Sequence, residues 1–108
     1  MYTTGTAFLE ALLETGVEYV FCSLGSDHTS IVEAYAAAHR AGKKVPKFIT
    51  APHEMVAMTV AHGYAQASGK PQAVIVHVEC GTQSLAGAVH NAAKGRVPIM
   101  VFAGMSPA

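Results

Sequence analysis

The pair His53-Glu54 sets a carboxylate beside an imidazole at the head of TAPHEMVAMTVAHGYAQASGK, residues 50–70, a stretch that is otherwise nearly all apolar. An acid in the first turn of a helix complements the helix dipole and helps cap free N–H groups. A carboxyl group set among Met55, Val56, Met58, Val60, Ala61 and Ala65 is also stripped of water, and a carboxyl that keeps its proton can donate a hydrogen bond where a carboxylate only accepts. Cys80, in VHVECGTQSL, offers a second chemistry. A thiol at a turn between strand and helix has the layout of a nucleophile elbow, with Glu79, His77 or His53 able to assist. Val78, however, stands where the glycine two residues before such a nucleophile belongs, and no late histidine supplies a base. A small, partly buried residue is the plainer reading of Cys80.

Metal chemistry finds no pattern. The histidine after His53 is His62, not the i+4 residue that would put two imidazoles on one helical face. The six histidines stand scattered at 28, 39, 53, 62, 77 and 90. His39 reads as solvent-facing, and His62 and His90 as packing or helix-surface residues. His28 and His77 fall at strand ends, and His28 is a candidate to line a substrate pocket.

The elements that must position these residues alternate. TAFLEALLETG (6–16) has helical spacing at Phe8, Leu9, Leu12 and Leu13. VEYVFCS (17–23) reads as a strand, and TSIVEAYAAAHRAG (29–42) as a helix that Thr29 or Asp27 caps and Gly42 closes. PKFIT (46–50) is a short strand. Residues 50–70 form a helix, with Pro52 suited to its first position and Gly69 to its end, expected to be buried on most sides. QAVIVHV (72–78) is a strand, GTQSLAGAVHNAAKG (81–95) a single helix and PIMVFAG (98–104) a last strand. Strands without clean alternation, separated by helices, predict an α/β fold: a parallel sheet covered on both faces, with right-handed crossovers. Ligands in open α/β sheets bind beyond the carboxyl ends of the strands. Those ends carry Cys22 to His28, then Thr50, His53 and Glu54, then Glu79 to Gln83, and finally Gly104 and Ser106.

Composition narrows the class. The 108 residues are 51% hydrophobic and 13% charged, against roughly 25% charged in ordinary soluble domains, so surface is expected to be hidden against something else. Seven basic and seven acidic residues cancel without a basic cluster, which argues against nucleic acid. No apolar run approaches the roughly 18 residues that span a bilayer. Two cysteines and no secretory signal point to a reducing cytoplasm.

EYVFCSLGSDHTSIVEA and ITAPHEMVAMTVAHGYAQASGKPQAVIVHVECGTQSLAGAVHNAAKGRVPIMVFAG, in that order, resemble the pyrimidine-binding domain of thiamine diphosphate enzymes, nearest to the acetolactate synthase type and its decarboxylase relatives. The most specific element is His53-Glu54 followed by Ala61, Gly63, Tyr64, Ala65, Ser68, Gly69, Lys70 and Pro71. The resemblance implies a flavodoxin-like three-layer fold of about four strands, truncated, with residues 1–108 forming one partial pyrimidine-binding domain. It implies that Glu54 hydrogen-bonds a ring nitrogen of the aminopyrimidine and promotes the imino tautomer that deprotonates the thiazolium. It further implies cofactor contacts from Gly25, Gly81, Thr82 and Gln83, and a substrate pocket near Ser26, His28 and His53.

Departures accompany the likeness. Glu79-Cys80-Gly81 stands where relatives usually carry Gly-Pro-Gly, leaving Gly81 as the one position free to take positive φ. Ser84 replaces a frequent asparagine, and CSLGSDH keeps only Gly25 of a Gly- and Pro-rich loop. No Gly-Asp-Gly and Asn metal motif occurs, so the diphosphate and its Mg²⁺ are expected on a diphosphate-binding domain outside this chain. The chain reads as a piece of a thiamine diphosphate lyase or transferase acting on a 2-keto acid, inactive alone and completed by its own copies or a partner subunit. The alternatives are a non-catalytic, self-associating α/β fragment and a hydrolase using Cys80.

Overall fold

The computed structural model describes residues Met1–Ala108. In chain order the elements are α1 (Thr4–Glu14), β1 (Tyr19–Ser23), a 3₁₀ turn (Ser26–His28), α2 (Thr29–Arg40), β2 (Lys47–Thr50), α3 (Glu54–Ser68), β3 (Gln72–Val76), α4 (Val78–Ser84), α5 (Ala86–Lys94) and β4 (Ile99–Ala103). The four strands are all parallel in the order β2-β1-β3-β4, the flavodoxin-like arrangement.

Pleating lets one strand feed two cores. Val20 and Cys22 of β1, with Ala73 and Ile75 of β3, meet Leu9 and Leu12 of α1 and Ile31 and Ala34 of α2. Phe21, Val74 and Val76 point the other way, onto Ala57, Met58 and Ala61 of α3 and Ala88 and Ala92 of α5. Every residue of β3 is buried, which is why QAVIV carries no polar alternation. Gln72 belongs to that run: its Oε1 accepts from Tyr19 N–H at 3.3 Å, so the amide helps fasten β3 to β1.

Several local expectations change. Pro52, expected at the first position of α3, lies before the helix: His53 caps it, its Nδ1 accepting from Met55 N–H at 3.1 Å, and Glu54 is the first helical residue. The helix α3, expected to be buried on most sides, is open on part of its surface: Met55, Val56 and Val60 are each more than two-fifths exposed. Neither Thr29 nor Asp27 caps α2, whose entry is the 3₁₀ turn. The strand QAVIVHV stops at Val76, and the helix expected over 81–95 starts earlier, at Val78, and breaks at Leu85 into α4 and α5. Val78 takes φ +34, an unfavourable value for a β-branched residue, where the chain turns out of β3. Gly81 lies inside α4 and serves close packing rather than positive φ, since a Cβ there would stand 2.9 Å from Val76 Cβ.

Candidate functional site

Three strand ends converge beyond the sheet. The loop after β1 carries Gly25, Ser26, Asp27 and His28, His77 leaves β3, and Gly104 to Ser106 leave β4. His77 Nδ1 lies 2.6 Å from Asp27 Oδ1, a short, charge-assisted contact across fifty residues of sequence. Two glycines make room for it. A Cβ at Gly25 would fall 2.2 Å from His77 Nδ1, and one at Gly104 would fall 1.9 Å from Asp27 Oδ2. Gly25 has φ −133, which any residue adopts, so space rather than backbone freedom demands glycine there.

His28 stands behind the pair. Its side chain is fully buried, against Phe102 of β4 and the ring of His77 at centroid separations of 6.2 and 6.4 Å. Its Nδ1 accepts the Gly25 N–H at 3.0 Å while its own N–H donates to the Gly25 carbonyl at 3.1 Å. Asp27 Oδ1 is 3.2 Å from the same Nδ1. Burial pushes the basicity of His28 down; the Asp27 charge acts against this and His77 adds to it. Burial works to raise the Asp27 pKa, but the hydrogen bond to His77 and the neighbouring imidazoles outweigh it and hold the carboxyl below its ordinary range. Farther out, Ser106 Oγ donates to Glu79 Oε2 at 2.7 Å and keeps that carboxyl ionised below its usual pKa. An open cleft of about 400 Å³ runs between Ser26, Asp27, His77 and Ser106. A larger hollow of about 580 Å³, around Glu18, Tyr19, Lys44 and Lys70, lies at the opposite, amino-terminal edge of the sheet.

The expected site residues fall on this edge in different states. Glu54 opens α3, half-buried, with no side chain hydrogen-bonded to it and the exposed Met55, Val56 and Val60 beside it on the same helix. Gly81 is buried; Thr82 and Gln83 are exposed on α4, the Thr82 hydroxyl donating to Val78 O at 2.7 Å. Ser26 lines the cleft, and His53 caps α3. His28, expected to line a pocket, is instead sealed beneath Asp27 and His77. The Asp27–His77 contact itself escaped sequence reading, although both residues stood at strand ends, because their pairing depends on which strands are neighbours. The Cys80 thiol is exposed and donates to the His77 carbonyl at 3.3 Å; no imidazole or carboxylate is hydrogen-bonded to it. Cys22 is buried, and both cysteines are free. No three His, Cys, Asp or Glu side chains are grouped to hold a metal ion, and no helix is long and apolar enough to cross a membrane.

The family model described as "Thiamine pyrophosphate enzyme, N-terminal TPP binding domain" matches residues 2–108. The chain belongs to this family. It is 33% identical over 105 residues to the mitochondrial acetolactate synthase catalytic subunit of Saccharomyces cerevisiae, covering 97% of this chain and 15% of that protein. Benzoylformate decarboxylase of Pseudomonas aeruginosa is 31% identical over 104 residues, covering 96% and 18%. A protein assigned as a thiamin diphosphate-dependent enzyme from Mycobacterium smegmatis superposes with a TM-score of 0.77 at 27% identity, covering 95% of this chain and 19% of that one. The chain thus spans less than a fifth of the length of each of these thiamine pyrophosphate enzymes.

Proposed function

We propose that the chain supplies the aminopyrimidine side of a thiamine diphosphate site in an enzyme that decarboxylates or carboligates a 2-keto acid. The observation that carries this reading is Glu54: a carboxyl group at the carboxyl-terminal edge of the sheet, free of internal partners and flanked by open apolar side chains. Glu54 would meet a ring nitrogen of the aminopyrimidine there, with the exposed Met55 next to it in the first turn of the helix. The bound cofactor supplies an acidic carbon and an electron sink that no side chain has. Glu54 would hold the ring nitrogen by a hydrogen bond, on a side of α3 that is closed to water only by contact with another surface. His77, held at Nδ1 by Asp27, presents Nε2 as a group that would give or take a proton from a keto acid in the cleft that Ser26 also lines.

The residues present fit the pyrimidine half of the cofactor only. All seven Lys and Arg lie at the other edge of the sheet, so Mg²⁺ and the diphosphate are held by a diphosphate-binding domain or subunit outside these residues. The same α3 side, with Gly81, Thr82 and Gln83 at its flank, is the docking face for that domain or for a second copy of the chain. A cytoplasmic setting accords with both cysteines being free.

Calorimetric titration with thiamine diphosphate and Mg²⁺, with native mass recorded alongside, tests the reading. Saturable binding that Glu54→Gln weakens at least tenfold is the expected result. Deuterium exchange at the thiazolium C2–H of the bound cofactor provides the second readout; a rate unchanged by Glu54→Gln would rule out the role given to this residue. Val56→Ser with Val60→Ser should lower the native mass if the chain pairs with itself through α3.

A further inference from the structure

We propose that His28 is a positioning residue that holds the Asp27–His77 pair in register while its own ring is neutral, and that protonating His28 releases the pair. The inference concerns the cluster named in the proposed function, but its test needs neither cofactor nor substrate.

The geometry rests on one nitrogen with two suitors. In the structure, His28 Nδ1 accepts the Gly25 N–H at 3.0 Å, and the His28 N–H returns a bond to the Gly25 carbonyl at 3.1 Å. These reciprocal bonds close the loop from Gly25 to His28 and fix the outward projection of Asp27. A ring nitrogen that accepts is unprotonated, so the ring proton of neutral His28 sits on Nε2, which is buried and has no partner in good hydrogen-bond geometry, although the Val76 backbone acts on the ring to raise its basicity. The same Nδ1 is 3.2 Å from Asp27 Oδ1, the oxygen that also lies 2.6 Å from His77 Nδ1.

Protonation reverses the role of Nδ1. An imidazolium nitrogen cannot accept, so the Gly25 N–H loses its partner. The new Nδ1–H lies along the axis of the lone pair it replaces, toward the Gly25 N–H. Two donors then face each other, and the Gly25–His28 loop that carries Asp27 is driven open; Asp27 Oδ1, 3.2 Å from Nδ1, lies off that axis. Asp27 and His77 are the charged groups that act on His28, and the β4 side packs against it with the uncharged Phe102. A fully buried imidazole resists charging, and the carboxylate next to it is what makes charging feasible. The absence of a Cβ at Gly25 and Gly104 lets the loop close directly on His77 and on Asp27, so a displacement of the loop is passed straight to the pair.

Imidazole ¹⁵N and backbone amide NMR of the 108-residue chain, followed from pH 8 to pH 5, tests this. The expected result is an Nε2–H tautomer for His28 at pH 8, with the Gly25 amide proton moving upfield and the His77 Nδ1 signal shifting at the midpoint of His28. The variant His28→Asn puts an amide oxygen at the place of Nδ1; it should keep the downfield Gly25 amide and lose its pH dependence. His28→Phe, which has no acceptor, should lose the downfield position at every pH. An Nδ1–H tautomer at pH 8, or Gly25 and His77 signals indifferent to the His28 midpoint, overturns the proposal. Should both variants fail to give dispersed spectra, the titration of the unmodified chain decides alone. Cofactor binding lost on Glu54→Gln but with no coupling among these signals would leave the proposed function standing and remove this inference, and the converse separates them equally.

Discussion

Asp27 has one oxygen shared between two imidazoles and the other facing the backbone of Gly104, so its surroundings tolerate little added volume. Gly104→Ala and Gly25→Ala each insert a methyl group where an atom already stands. Each should cost about 1–3 kcal/mol in urea unfolding, the range for overpacking, and each should displace the Asp27–His77 contact. The pH dependence has a definite sign. Burial lowers the basicity of His28 in the folded chain, so the unfolded chain takes up a proton first. Stability is therefore full above the ordinary imidazole value of about 6.5 and declines as pH falls from there to the lower folded value, by at most about 1.4 kcal/mol per pH unit for a single group. The decline should shrink in His28→Asn, measured as urea midpoints across pH 5 to 8. Asp27 acts in a separate and lower window: its depressed pKa contributes stability above the ordinary carboxylate range that is lost only as pH falls through the folded value.

At the scale of elements, helix ends show how the chain manages its backbone. Glycines 16 and 42 take φ +87 and +66 after α1 and α2, and the two backbone bonds of a Schellman turn follow in each. After α5 the corresponding bonds run from Arg96 N–H to Ala93 O and from Val97 N–H to Ala92 O, so the left-handed residue is Arg96, at φ +53, although Gly95 precedes it. Gly95 is reserved for a close approach, since a Cβ there would stand 3.3 Å from His62 Nε2. A left-handed conformation costs a side-chain-bearing residue roughly 1–2 kcal/mol, partly offset in glycine by its greater unfolded freedom. Arg96→Gly should accordingly stabilise the chain by up to about 1 kcal/mol, read as a higher thermal midpoint. Truncation in the central strand has the opposite effect: Ile75→Ala empties a fully buried site and should cost about 2–5 kcal/mol.

Across the whole molecule, zero net charge conceals a segregation. Every parallel βα unit sends its helix N-terminus to the carboxyl edge of the sheet and its C-terminus to the other edge. Asp27, Glu54 and Glu79 stand at the first edge, and Arg40, Lys43, Lys44, Lys47, Lys70, Lys94 and Arg96 all stand at the second, in company with Glu14 and Glu18. Helix dipoles favour this distribution, each matched charge contributing about 0.3–1 kcal/mol. Its consequence for function is that the candidate site offers an anionic ligand no lysine or arginine. Thiamine diphosphate titrated into this chain alone should therefore bind more weakly than into the chain joined to a diphosphate-binding partner, and raising salt from about 0.05 to about 0.5 M should weaken the former less than the latter, since no lysine or arginine stands on this edge to be screened.

The sequence by itself determined the α/β class, the order of the elements and the edge on which chemistry gathers, because these follow from local signals: β-branched runs, helical spacing, and Gly or Ser at strand ends. Glu54 was legible for the same reason, as an acid at the head of a helix, with motif residues around it. Tertiary structure decided the rest. That β1 and β3 are neighbours brings Asp27 to His77, and no local pattern encodes a contact between loops fifty residues apart. The start of α4 at Val78 rather than Gly81 likewise answers to packing on Val76, and the exposure of Met55, Val56 and Val60 to the two-helix cover on that face of the sheet. Glycine was visible at 25, 81, 95 and 104, but only the folded chain distinguishes a glycine needed for room from one needed for its φ, because room is a property of what arrives from elsewhere in the chain.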